Sequence, residues 1–248
     1  MIRMYNISKK FSINSPEEKV VFENLNLNIK KGEFVIIIGE NGSGKSTLMD
    51  LISGNILPDS GKIFIDEKDV TNLPEHKRAK FIGRVFQDPL KGSCPNLTVE
   101  ENLSLAILRN KRRTLNFGIN KLNRENLKYE LAKLDLGLEN TLDTKMGVLS
   151  GGQRQAITLL MATFIRPKVL LLDEHTAALD PKSSEKILNL TEKITSHNSI
   201  TTLMITHNLK HVIKFGNRLI VLEGGKIKHD VSENKKVSLV RNKLSDIF

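Results

Sequence analysis

Gly39-Glu40-Asn41-Gly42-Ser43-Gly44-Lys45-Ser46 follows the apolar run Phe34-Val35-Ile36-Ile37-Ile38 and opens the helix-forming stretch Lys45–Ser53. A continuous apolar run of this length suits a strand covered on both faces, as in a parallel sheet. The eight residues fit G-x-x-x-x-G-K-[ST], and the flanking strand and helix are the context in which that pattern cradles phosphate. Gly42 and Gly44 let the backbone curl so that several N–H groups face an anion. The Lys45 ammonium adds a point charge, and the Ser46 hydroxyl is placed to reach a cation carried by the phosphates.

Outward from this loop the chain alternates strands and helices. Upstream, Leu25, Leu27 and Ile29 alternate with Asn24, Asn26 and Asn28, the period of a half-buried strand. Downstream, Gly61–Ile65 and Phe81–Phe86 read as strands. From Pro89 to Pro167 the texture is mainly helical: Thr98-Val99-Glu100-Glu101 has capping-box spacing, and Arg124–Leu136 and Gly151–Ile165 follow as helices. Strands resume at Val169–Leu172, Thr201–Ile205 and Leu219–Leu222. Asp180-Pro181 opens a helix, and Gly224-Gly225 marks a hairpin. The expected organisation is a single domain, with a core over 1–88 and 168–230, a helical subdomain over 89–167, and a short polar tail over 231–248.

Composition excludes several classes. The chain has 248 residues and 27% charged side chains, as expected of a soluble globular protein. No apolar run approaches the roughly 18 residues that span a bilayer; the richest, Ala156–Ile165, is interrupted by Thr158 and Thr163. Met1–Lys10 has no apolar segment of the secretory kind. A single cysteine, Cys94, permits no internal disulfide and suits a reducing compartment; it reads as a packed small apolar residue. The net charge of +10 invites a nucleic-acid reading, but there is no tryptophan and there are only two tyrosines to stack on bases, so no nucleic-acid partner is expected. The local excess from Arg109 to Lys128 sets seven cations against Glu125 alone and reads as a solvated face. His76, His197, His211 and His229 show no metal-ligand spacing with one another or with Cys94.

Two further strings narrow the function. Val169-Leu170-Leu171-Leu172-Asp173-Glu174 is a buried strand delivering two carboxylates at its carboxyl end, where ligands bind in open parallel sheets. Leu149-Ser150-Gly151-Gly152-Gln153 opens a helix, so N–H groups and a hydroxyl can meet an anion there. With the phosphate loop, these strings resemble the ATP-binding subunits of ABC transporters, from Phe11 to Gly224-Gly225. The resemblance implies an α/β fold: a P-loop NTPase core of mixed, mainly parallel sheet, an N-terminal antiparallel β subdomain and an inserted α-helical subdomain.

It also implies roles. ATP would lie on Gly39, Asn41, Gly42, Ser43, Gly44, Lys45, Ser46 and Thr47, with adenine on Phe11. Mg²⁺ would be held through Ser46, Gln87 and Asp173. Glu174 would orient the attacking water as general base, and His207 would contact the γ-phosphate. Ser150, Gly151, Gly152 and Gln153 would contact ATP held by a second copy of the chain, with Asp180 at that dimer interface.

One departure follows Gln153, where Arg154-Gln155-Ala156-Ile157-Thr158 replaces the usual continuation. Another is His175, where the family commonly has proline; it is expected to adjust the backbone beside Glu174. The variant strings look like ATPases of importers for aromatic amino acids, tryptophan or tyrosine. The implied partners are a second copy, an integral membrane permease and an external substrate-binding protein, with the subunit peripheral on the cytoplasmic face of the membrane. An exporter or lipoprotein-release ATPase, or a soluble ATPase of iron–sulfur assembly, shares these motifs. Chromosome-maintenance ATPases need a long coiled coil between the two motifs, whereas only 105 residues separate Lys45 from Ser150.

Overall fold

The computed structural model describes residues 1–12, 18–109 and 121–242. It divides into two compact units, Met1–Ile82 with Ser199–Phe248, and Gly83–Asn198. The first unit opens with β1 (Ile2–Phe11), β2 (Lys19–Ile29) and β3 (Phe34–Gly39), then α1 (Lys45–Ser53), β4 (Ser60–Ile65), β5 (Lys68–Asp69) and the one-turn α2 (Glu75–Arg78). Strand β6 (Ile82–Val85) leads into the second unit, which holds α3 (Val99–Leu108), α4 (Lys121–Ala132), α5 (Gly151–Thr163), β7 (Val169–Asp173) and α6 (Pro181–His197). The chain returns to the first unit with β8 (Thr201–Ile205), α7 (Leu209–Lys214), β9 (Arg218–Glu223), β10 (Lys226–Ser232) and α8 (Glu233–Asn242).

In the first unit, β2-β1-β4-β5 form an antiparallel sheet, and Ile2 pairs with Ile29 on one side and Ile65 on the other. Leu25, Leu27 and Ile29 are buried while Asn24, Asn26 and Asn28 face outward, as the alternation requires. The second sheet here runs β10-β9-β3-β8. Strand β3 is parallel to both β8 and β9, and Phe34–Gly39 is buried throughout. Burial along its whole length explains the unbroken apolar run, as for a strand inside a parallel sheet. Gly224 and Gly225, at φ 52° and 76°, join β9 to β10 in the left-handed two-residue turn that suits strand twist.

The second unit is held by an apolar cluster from four helices, including Leu103, Leu131, Ile157 and Ile187. Each such side chain contributes about 1.5–3 kcal/mol on burial. Strand β7 lies beside β6. Both capping boxes are present: Thr98 at α3 with Glu101, and Ser150 at α5 with Gln153.

Several expectations need correction. Cys94 is exposed in the loop before α3 rather than packed. Within the expected polar tail 231–248, the described residues finish β10 and form α8, and residues 243–248 lie outside the described residues. Lys236 of α8 is buried and donates to the carbonyls of Phe215 and Gly216, each at 2.6 Å. Within the basic stretch, residues 110–120, with Lys111, Arg112 and Arg113, lie outside the described residues. Arg109 and Arg124 are engaged rather than solvated. Arg109 donates to the Ala162 carbonyl at 3.2 Å, and Arg124 pairs with buried Glu100 and with Asp143. Among the described residues no helix is long and apolar enough to cross a membrane.

Candidate functional site

The phosphate loop is shaped by what lies against it. Gly44, at φ 104°, is the first cap of α1; a methyl group there would sit 2.7 Å from the Phe22 ring. Gly39, at φ 153°, runs so close to β9 that the same methyl would meet the Leu222 carbonyl oxygen at 2.1 Å. These two glycines are therefore demanded by packing as well as by the turn. No side chain caps the start of α1 and no acid lies in its first turn, so the N–H groups and positive dipole end there suit an anion. The Ser43 hydroxyl is buried with no partner among the described residues, and Ser46 is exposed. Lys45 Nζ bends back into the loop and donates to the carbonyls of Gly39 and Glu40, both at 2.8 Å. An uncapped helix end, a buried hydroxyl lacking a partner and a converging ammonium together fit a phosphate group.

In the same unit Phe11 stands at the end of β1, half-exposed, with Lys9 Nζ 5.5 Å from its ring centre. His207 is exposed one residue after buried Thr206, where β8 gives way to α7. Asn208 fixes that junction by accepting from the Lys210 N–H at 3.0 Å while its own N–H donates to Thr206 Oγ1 at 3.1 Å.

In the second unit, β7 buries Val169–Leu172 and leaves Asp173 and Glu174 half-buried at its end. Glu174 adopts φ 45°, a left-handed conformation unusual for a non-glycine residue and typical of functional turns. His175 then turns inward: it is 2% exposed and its Nε2 lies 3.3 Å from Thr191 Oγ1 on α6. Asp173 faces Arg84 at 3.6 Å, and that guanidinium stacks 4.8 Å over Phe86. The sequence reading missed Arg84, and its only signal there is its position three residues before Gln87. Gln87 itself is exposed. The adjoining Phe86 carbonyl accepts from buried Gln155 of α5 at 3.4 Å, a second contact that spacing did not reveal.

At the start of α5, Ser150 Oγ accepts from the Gln153 N–H at 3.3 Å and Gln153 Oε1 accepts from the Ser150 N–H at 3.1 Å. The Gln153 N–H, one of the groups the sequence left open to an anion, is therefore used in the cap. The N–H groups of Gly151 and Gly152 remain at the helix end. A methyl on Gly151 would lie 3.2 Å from Leu179, and one on Gly152 3.3 Å from Ser183, so these glycines also let α5 approach the Leu179–Ser183 segment. Asp180 caps α6, accepting from the N–H groups of Lys182 and Ser183 at 3.1 and 3.0 Å. The Ser183 side chain and N–H hold its carboxyl below the usual carboxylate range.

Residues 22–177 match the family model described as ABC transporter. The chain belongs to the ABC transporter family. This ABC subunit binds and hydrolyses ATP, as its family membership and relatives establish. It is 49% identical over its whole length, and over 98% of the relative, to a tyrosine transport ATP-binding protein of Clostridioides difficile. It is 34% identical over 93% of its length, and 96% of the relative, to the ABC transporter ATP-binding protein MJ0796 of Methanocaldococcus jannaschii. The dimeric post-hydrolysis structure of the MJ0796 cassette with ADP and Pi superimposes with a TM-score of 0.80 at 32% identity, covering 94% of this chain and 99% of that one. The ABC cassette fold expected from the motifs is thereby established, with its mixed sheet and antiparallel N-terminal strands.

Proposed function

We propose that this ATPase drives uptake of a small solute, an aromatic amino acid of the tyrosine class, through a separate membrane permease. It would work as a pair, peripheral on the cytoplasmic face of the membrane and served by an external binding protein. The solute class is supported by the full-length likeness to the tyrosine transport ATP-binding protein. The working unit is a nucleotide-binding core over 1–88 and 168–230 with the helical insertion 89–167.

One observation carries the paired mechanism: the chain has one phosphate loop and one L-S-G-G-Q helix end, and Gly151 and Gly152 present their N–H groups at that end. In the pair, each nucleotide lies between the loop of one copy and the Ser150–Gln153 segment of the other, with Asp180 at the interface. MJ0796 supports this arrangement by forming a dimer. Within one copy, Gly39 and Asn41–Thr47 take the phosphates, Lys45 compensates their charge and Phe11 stacks on adenine. Glu174 orients and polarises the attacking water, and His207 steadies the γ-phosphate. Mg²⁺ would be held by Ser46, Gln87 and Asp173, and would neutralise charge on the β- and γ-oxygens. Among the described residues no group of three or more His, Cys, Asp or Glu could hold a metal alone, which suits an ion that takes most of its ligands from phosphate and water.

Glu174→Gln tests the assignment. The variant is expected to bind ATP, to sediment as a dimer in its presence, and to turn over about 10²–10⁴ times more slowly, the usual worth of a general base. Turnover near the wild-type rate would remove Glu174 from this role.

A further inference from the structure

The first residues of β2 line the phosphate loop in order. Phe22 lies beneath Gly44, and Val21 reaches within 3.2 Å of the position a methyl group on Gly44 would occupy. Lys19, the first residue of the strand, brings its ammonium to 3.5 Å from the corresponding position on Gly42, in the middle of the loop. The register of the sheet sets Lys19 directly opposite Phe11. Lys19 therefore starts from a position paired with Phe11 and carries its ammonium to the glycine at the crest of the loop.

Its neighbours are already neutralised. Lys9 pairs with Asp59 at 2.8 Å and Lys10 with Glu18 at 3.2 Å. Lys19 has no ion pair or hydrogen bond among the described residues, although it is exposed and could choose among surface acids. A cation held over a glycine turn without a carboxylate is attractive to an anion, and the turn's own N–H groups point to the same ligand.

We propose that Lys19 is a second phosphate-binding cation of this ATPase. Its ammonium reaches the phosphate chain of the nucleotide from the side opposite the buried Lys45, between the adenine platform and the loop. The inference rests on the reading of Phe11 and Gly39–Thr47 as the nucleotide site. Lys45 is fixed inside the loop by two carbonyls, whereas Lys19 approaches over the rim and can follow the nucleotide as it enters and leaves. It adds affinity for charged phosphate and none for adenosine.

The test is equilibrium titration of ATP, ADP and adenosine against the full chain, comparing wild type, Lys19→Met, Lys19→Arg and Lys45→Met at low and high salt. Lys19→Met is expected to weaken ADP and ATP binding about tenfold, the scale of one charge-assisted hydrogen bond, and to leave adenosine binding unchanged. The loss should shrink as salt rises, because an exposed charge is screened, and Lys19→Arg should restore most of it. Lys19 lies at the surface, so the melting temperature of Lys19→Met should match wild type and separate a binding effect from misfolding. If Lys19→Met binds ADP like wild type while Lys45→Met does not, the proposal is overturned and the site reading survives. If Lys45→Met also binds normally, the loop is not the nucleotide site and both fall.

Discussion

Glu174 and His175 are adjacent in sequence and separate in duty. The left-handed turn at Glu174 keeps its carboxylate near the surface while the next side chain drops into the interior to meet Thr191. A buried imidazole with that partner should be worth about 1–3 kcal/mol, because removing it opens a void and takes one of the two hydrogen-bond partners of the Thr191 hydroxyl, which keeps the Ile187 carbonyl. His175→Ala is expected to lower the urea midpoint accordingly. A double-mutant cycle with Thr191→Ala should show coupling, and nucleotide affinity should be unchanged. Independence of the two substitutions would mean that the 3.3 Å contact contributes nothing. The sequence marked position 175 as odd because histidine stands where proline is common in the family, but the partner sixteen residues away could not be read. Side-chain contacts that bridge a strand end and a helix have no periodic signature. Arg84 and Gln155 were missed for the same reason, whereas Lys45, Asp173 and Glu174 were legible because local backbone chemistry dictates where such residues must sit.

Helices α3 and α5 begin with the same device, which makes them a controlled comparison. Thr98 and Ser150 each accept from the third N–H of their helix, and Glu101 and Gln153 reach back in return. Replacing either cap by alanine should cost about 1 kcal/mol of stability. Thr98→Ala is therefore expected to lower the melting temperature by a few degrees with ATP turnover per folded molecule intact. Ser150→Ala should show a similar thermal loss together with a severe loss of turnover, since the proposed pairing also sets its hydroxyl against nucleotide held by the other copy. Equal turnover in the two variants would reduce Ser150 to a structural cap. Elements with strong local signals were found nearly residue for residue: the buried β3, the α5 and α6 starts, the β9–β10 turn. Helices α2, α7 and α8 were not, because they are short or polar and owe their form to tertiary partners. Arg78 of α2 illustrates this. It is fully buried, with burial lowering its pKa to about 10, and donates to carbonyls of Leu51 and Ile52 at the end of α1, an arrangement invisible in Glu75-His76-Lys77-Arg78.

For the molecule as a whole, the paired sites proposed above make a complementation experiment decisive. Lys45→Met disables the loop of its own copy, and Ser150→Ala disables the helix end offered to a partner. Alone, each homodimer has two broken sites. Mixed in equal amounts, half the dimers are hetero-pairs with one site intact on both sides, so up to about a quarter of wild-type turnover should return. No recovery on mixing would argue for sites complete within a single chain. Family and architecture were legible from the motifs, because the phosphate loop, the acidic strand end and the L-S-G-G-Q string each place a backbone geometry and their order places the rest.

Lys236 carries a practical consequence for anyone handling the polypeptide. Its ammonium is plugged into the Phe215 and Gly216 oxygens from beneath α8. Trimming the chain ahead of that plug would leave both oxygens stranded in the interior just after α7, the helix that follows His207. A protease nick between β10 and Lys236 should therefore loosen the stretch behind His207.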